Sequence, residues 1–136
     1  MPDYEFPPPK YRNRPEAGRL LAERLAAYRD ENPVLLAIPN GGVPVAAVIA
    51  EALRVKLYLI PVRKLQVPGQ PEAGFGAVTP DGFLILNHSL VNRLNLREQD
   101  IERQKEKALA QARRKQKLFG ERATLPPLDG RLAILV

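Results

Sequence analysis

The sequence predicts an α/β domain built on a mostly parallel sheet, and three observations carry that expectation. Residues 34–38, 57–62 and 132–136 are short, continuously apolar runs bounded by turn or charged residues. Such runs suit strands covered on both faces. Between the first two lie Pro39-Asn40-Gly41-Gly42 and a stretch with helical apolar spacing, and strand, helix, strand in that order is the βαβ signature. The turn after the first run is glycine-rich, as expected where a strand hands over to a helix.

Composition bounds the rest. The chain has 136 residues, 45% hydrophobic and 26% charged, enough for one domain with its own core. There is no cysteine and a single histidine, which excludes disulfides, thiol chemistry and the usual zinc and iron–sulfur ligand sets. No apolar run approaches the ~20 residues of a membrane-spanning helix, and the first residues lack an apolar leader core. A cytoplasmic protein is expected. The formal net charge of +6 points to a polyanionic partner, either nucleic acid or a small phosphate ester.

Taken in order, residues 1–12 form an N-terminal arm and 13–136 the domain. The arm holds Pro7-Pro8-Pro9 and is extended, with Tyr4, Phe6 and Tyr11 as packing points for a strap. Asn13 and Glu16 have capping-box spacing, with Pro15 in the first turn. The helix they open runs to about Arg29 and carries Ala17, Leu20, Leu21, Leu25 and Tyr28 on one face. After strand 34–38, Pro44 opens a second helix with Val45, Val48, Ile49, Ala52 and Leu53 as its stripe. Strand 57–62 follows, ending at Arg63-Lys64.

Residues 65–71 are rich in turn formers and are expected to be a loop, able to close over a ligand or simply lie on the surface. Runs 75–79 and 83–86 around Pro80-Asp81-Gly82 read as a peripheral hairpin. A helical turn is expected over 89–94. Asn95 and Glu98 then mark the start of a long charged helix ending at Gly120. Its acids precede most of its bases, in the order that complements the helix dipole.

Two groups of residues could carry chemistry. Pro39, Asn40, Gly41 and Gly42 lie beyond the carboxyl end of a strand, where open α/β sheets bind ligands. Their backbone N–H groups and the following helix favour an anion; the alternative is a tight turn without a ligand. Arg63 and Lys64 follow the neighbouring strand and would face the same crevice, binding phosphate, or else pair with an acid such as Glu72. Arg113, Arg114, Lys115 and Lys117 offer a third surface for nucleic acid, but too few aromatics interleave for a stacking platform. His88 has no serine or acid spaced to form a triad.

The segment 34–45, with its Pro-Asn-Gly-Gly-Val-Pro-Val turn, resembles type I phosphoribosyltransferases, and within them an uncharacterised bacterial and archaeal branch. Val62-Arg63-Lys64-Leu65, Pro68-Gly69-Gln70-Pro71-Glu72, Gly76-Ala77-Val78, Leu86-Asn87 and the charged helix from Arg97 continue the resemblance, as do Asn13-Arg14 and Ala17-Gly18. It implies a parallel sheet of the type I kind with an attached hairpin and long helix. It also implies transfer of phosphoribosyl from phosphoribosyl pyrophosphate (PRPP), with Mg²⁺, to a nitrogenous base.

In that family the first glycine loop, here Pro39, Asn40, Gly41 and Gly42, binds pyrophosphate, and Arg63 and Lys64 help neutralise it. The branch usually carries arginine where Asn40 stands. The family's acidic pair and Thr-Gly loop, which grip the ribose phosphate, would follow Val136, so the domain is expected to be incomplete at its C-terminus. Expected partners are PRPP and a nucleobase-like acceptor, with a homodimer as a candidate assembly and neither membrane nor nucleic acid. A non-catalytic binder of phosphoribosyl ligands is the alternative on the same fold, and nucleic-acid binding by the basic helix is the second.

Overall fold

A computed structural model describes residues 10–136, arranged around two small sheets. The first is parallel, with β1 (Val34–Ala37) between β2 (Leu57–Leu59) and β6 (Ala133–Leu135). Leu35 pairs with Leu57 on one side and with Ile134 on the other. All four β1 residues are buried, as the unbroken apolar run predicts for a central strand.

Two helices cover this sheet. α1 (Arg14–Leu25) packs on α2 (Gly42–Leu53), which packs on β1 and β2. Ala22, Leu35, Ala46, Ile49, Leu53 and Leu57 form their shared core, flanked by Phe119, Ile134 and Val136. The second sheet is antiparallel, with order β3 (Arg63–Val67), β4 (Gln70–Val78), β5 (Leu84–Leu86). One face packs on α4 (Glu98–Phe119), where Leu65, Val67, Phe75, Val78 and Ala108 form a second core. The short α3 (His88–Arg93) joins the two.

Several elements differ from expectation, each for a physical reason. The run 57–62 is a strand only to Leu59. Ile60 still donates to the Ala37 carbonyl at 2.9 Å, but Pro61 has no N–H with which to continue the ladder. The expected loop 65–71 is instead the end of β3, a tight turn and the start of β4. Val67 pairs with Gln70, so Pro68-Gly69 is a two-residue turn, with Gly69 at φ +79°. Proline followed by glycine at positive φ is the type II pattern. The register slips around Gln66, and that irregularity accommodates Pro71 within a strand. The segment read as a loop, whether closing over a ligand or lying on the surface, is therefore a paired hairpin.

The long helix is capped two residues later than its sequence pattern indicates. Asn95 lies at φ +50° in the preceding turn. Arg97 is the cap residue, and its N–H donates to the Asp100 carboxylate at 3.2 Å.

In α1 the cap is the expected one: Asn13 Oδ1 accepts from the Glu16 N–H at 2.9 Å. The α-helix stops at Leu25 and a 3-10 turn continues to Glu31. Its buried face is also rotated from the expected stripe. Ala17, Gly18 and Ala22 are buried, while Leu20 and Tyr28 are exposed. A Cβ at Gly18 would lie 2.8 Å from both the Val45 carbonyl oxygen and Val48 Cβ, so this glycine sets how closely α1 and α2 approach. Of the expected strap, Tyr4 and Phe6 lie outside the described residues and Tyr11 is exposed.

Candidate functional site

The strand order determines where a ligand would sit. From β1 the chain passes through α2 to β2 on one side, while β6 joins on the other. Strand order reverses between β1 and β6, and such a reversal creates a crevice at the carboxyl edge, the switch point at which open α/β sheets bind ligands. Here the crevice lies between the ends of β1 and β6, and the glycine turn occupies it.

The turn is held from both sides. The Ile38 N–H donates to the Val136 carbonyl at 2.9 Å, and the Gly42 N–H donates to the Ile38 carbonyl at 3.1 Å. A Cβ at Gly42 would lie 2.5 Å from the Val136 carbonyl oxygen. Only glycine permits that approach, so Gly42 serves to seat α2 against β6. The Pro39–Asn40 peptide bond is cis. The Val43 N–H donates to the Asn40 carbonyl at 3.3 Å. Among the described residues no backbone carbonyl accepts from the N–H of Asn40 or Gly41. Both are exposed, and the N-terminus of α2 adds its positive end. The turn can therefore present two backbone donors to an anion.

Arg63 and Lys64 stand within β3 and not at the carboxyl end of the preceding strand, and this separates them. Successive strand residues point to opposite faces. Arg63 shares the inner face with buried Leu65 and Val67, and its Nε is buried without a hydrogen-bond partner. Lys64 is exposed on the outer face, where Nζ donates to the Glu72 carbonyl at 2.8 Å. Glu72, the expected acid partner, thus engages Lys64 through its backbone.

Sequence reading missed the walls around the turn. Pro39, Asn40, Val43 and Pro44 border a shallow hollow of about 320 Å³, closed by Leu59 and Phe119. Phe119 is the last residue of α4, so the long helix ends beside the turn. A larger hollow of about 500 Å³ lies beyond β2 and shares Leu59 with the first. Ile60, Pro61, Phe83 and Leu125 supply its apolar walls, with Thr79, Gln116 and Thr124 as polar groups. The Thr79 hydroxyl also donates to Asp81, holding that carboxyl below its usual range. Neither hollow has a local sequence signal, because both are built from distant segments.

The basic residues of α4 do not form one surface. At about 100° per residue, Arg113 and Lys117 share a side, Arg114 lies a quarter turn away and Lys115 is nearly opposite. Arg113 is further tied to the hairpin through Nε and the Pro80 carbonyl at 3.1 Å. His88 is exposed at the start of α3. Among the described residues no group of three or more His, Cys, Asp or Glu could hold a metal ion, and no helix is long and apolar enough to cross a membrane.

Fold and crevice define an α/β protein with a glycine turn at its switch point. The crystal structure of TT1426 from Thermus thermophilus is similar, with a TM-score of 0.72 and 35% identity, covering 93% of this chain and 60% of that one. Two Mycobacterium tuberculosis proteins, from strains CDC 1551 / Oshkosh and ATCC 25618 / H37Rv, are each 40% identical over 124 residues. Both carry the name "Putative phosphoribosyl transferase". The match spans 91% of this chain but 28% of the length of each of these relatives. No family model matches.

Proposed function

We propose that this chain provides the pyrophosphate-binding part of a phosphoribosyltransferase that moves phosphoribosyl from PRPP to a nitrogenous base. One observation carries this reading: a glycine turn with two unengaged backbone donors sits at the switch-point crevice, in a chain 40% identical to proteins with that name. In the reaction a base nitrogen bonds to the anomeric carbon as the bond to the pyrophosphate oxygen breaks. Negative charge grows on the leaving group, so fixed donors aimed at it lower the barrier.

In this proposal the N–H groups of Asn40 and Gly41 bind the pyrophosphate, with Pro39 and Gly42 fixing the turn. Arg63, in this reading, supplies the cation that helps neutralise it. Its buried, unpartnered Nε is costly in the free protein and would be satisfied by an anion. Lys64, on the opposite face, contributes through longer-range charge. The described residues offer no protein cage for Mg²⁺, so the ion enters the proposal only as a companion of the donor, whose phosphates and water would ligate it. The hollow beyond β2, with apolar walls and a few polar groups, suits a planar heterocyclic acceptor.

The test is pyrophosphate release from PRPP with Mg²⁺ across a panel of nucleobases, using the purified chain. Binding of PRPP by the chain is expected, with base-dependent release where the ribose-phosphate half of the site is also present. No release with any base, together with no binding of PRPP, would overturn the reading.

A further inference from the structure

We propose that Arg14 completes the pyrophosphate site by supplying a positive charge beside the glycine turn. The proposal rests on the functional reading above and adds a residue from a different element to it. Arg14 is the first residue of α1, fixed by the Asn13 cap and by Pro15 after it. Packing of α1 on α2 through Gly18 brings this end of the helix to the start of α2. One terminal guanidinium nitrogen of Arg14 lies 3.7 Å from the point a Cβ on Gly41 would occupy. A planar cation with several donors therefore stands beside one of the two amides available to an anion.

The electrostatics favour a ligand there over a structural role. A cation in the first turn of a helix opposes the helix dipole. Arg14 sits at the start of α1 and also beside the start of α2, so it faces two positive helix ends. Among the described residues it makes no ion pair or side-chain hydrogen bond. The nearest carboxylate in sequence, Glu16, is committed to the backbone N–H and guanidinium of Arg12. Arg14 is exposed, so no core packing explains its position. A diphosphate at the turn would balance all three positive contributions through charge-assisted bonds.

The experiment is calorimetric titration of the chain with inorganic pyrophosphate, comparing wild type, Arg14→Gln and Arg12→Gln. Arg12 is a control of equal charge whose partner is Glu16. Arg14→Gln is expected to weaken binding about tenfold or more, in the range of one charge-assisted hydrogen bond. Arg12→Gln is expected to stay within about twofold of wild type. Equal affinity of Arg14→Gln and wild type would overturn the role of Arg14 while leaving the glycine turn in place. Equal losses in the two variants would overturn it as well, by reducing the effect to net charge. A wild-type chain that does not bind pyrophosphate would overturn the functional reading and this inference together.

Discussion

Gly42 sets how closely the glycine turn approaches the end of β6. Its missing side chain lets the carbonyl of Val136 approach to within 2.5 Å of where a Cβ would be. The obstructing atom is backbone, on a strand already paired through Val34, Leu35 and Leu36, and cannot move aside cheaply. Gly42→Ala is therefore expected to lower stability by roughly 1–3 kcal/mol, the usual range for overpacking. Urea denaturation would show it as a lower midpoint at unchanged slope. An unchanged midpoint would mean that α2 does not seat on β6 as described. Gly41 is different: the nearest atom to its virtual Cβ is the flexible end of Arg14, so a side chain there would meet no backbone.

At the scale of elements, the N-terminus of α4 gives a pH-dependent prediction. A hydrogen bond from the Arg97 guanidinium holds the Asp100 carboxyl below its usual range, helped by the Arg97 N–H and opposed by slight desolvation. A carboxyl with a lowered folded-state pKa adds stability that is complete above its unfolded value and lost as pH falls through the folded one. Asp100→Asn is expected to be less stable than wild type at neutral pH, and the gap should close on acidification. Thermal melts of both proteins from neutral to acid pH would check this; a gap that does not vary with pH would contradict it.

Elements were also where the sequence was most uneven as a guide. The three parallel strands, α2, the β4–β5 hairpin and the long helix were legible because apolar period and turn residues agree there. β3 was not. Its alternation, with Leu65 and Val67 inward, spans too few residues to stand out, and Pro68-Gly69 reads equally as loop or tight turn. That one misreading left Arg63 and Lys64 together at the carboxyl end of strand 57–62, facing one crevice, whereas a strand of their own sends them apart. The face of α1 was legible in part: Ala17 is buried and Leu21 and Leu25 pack on the core, whereas Leu20 and Tyr28 are exposed, and Gly18 and Ala22 are too small to stand out in the periodicity. Arg14 was invisible as a site residue because its relation to Gly41 exists only after α1 packs on α2.

For the whole molecule, the parallel sheet supplies the crevice and the antiparallel sheet with α4 supplies its flank. Phe119 and Leu59 bridge the two beside the turn. The net charge of +6 attracts anions generally, so the account depends on where an anion is held. A two-dimensional ¹⁵N–¹H NMR titration of the chain with pyrophosphate reads that location directly. The account predicts saturable shifts concentrated in the amides of Asn40, Gly41 and neighbouring Gly42 and Val43. Shifts centred on the cations of α4, or no saturable shifts in the glycine turn, would contradict it.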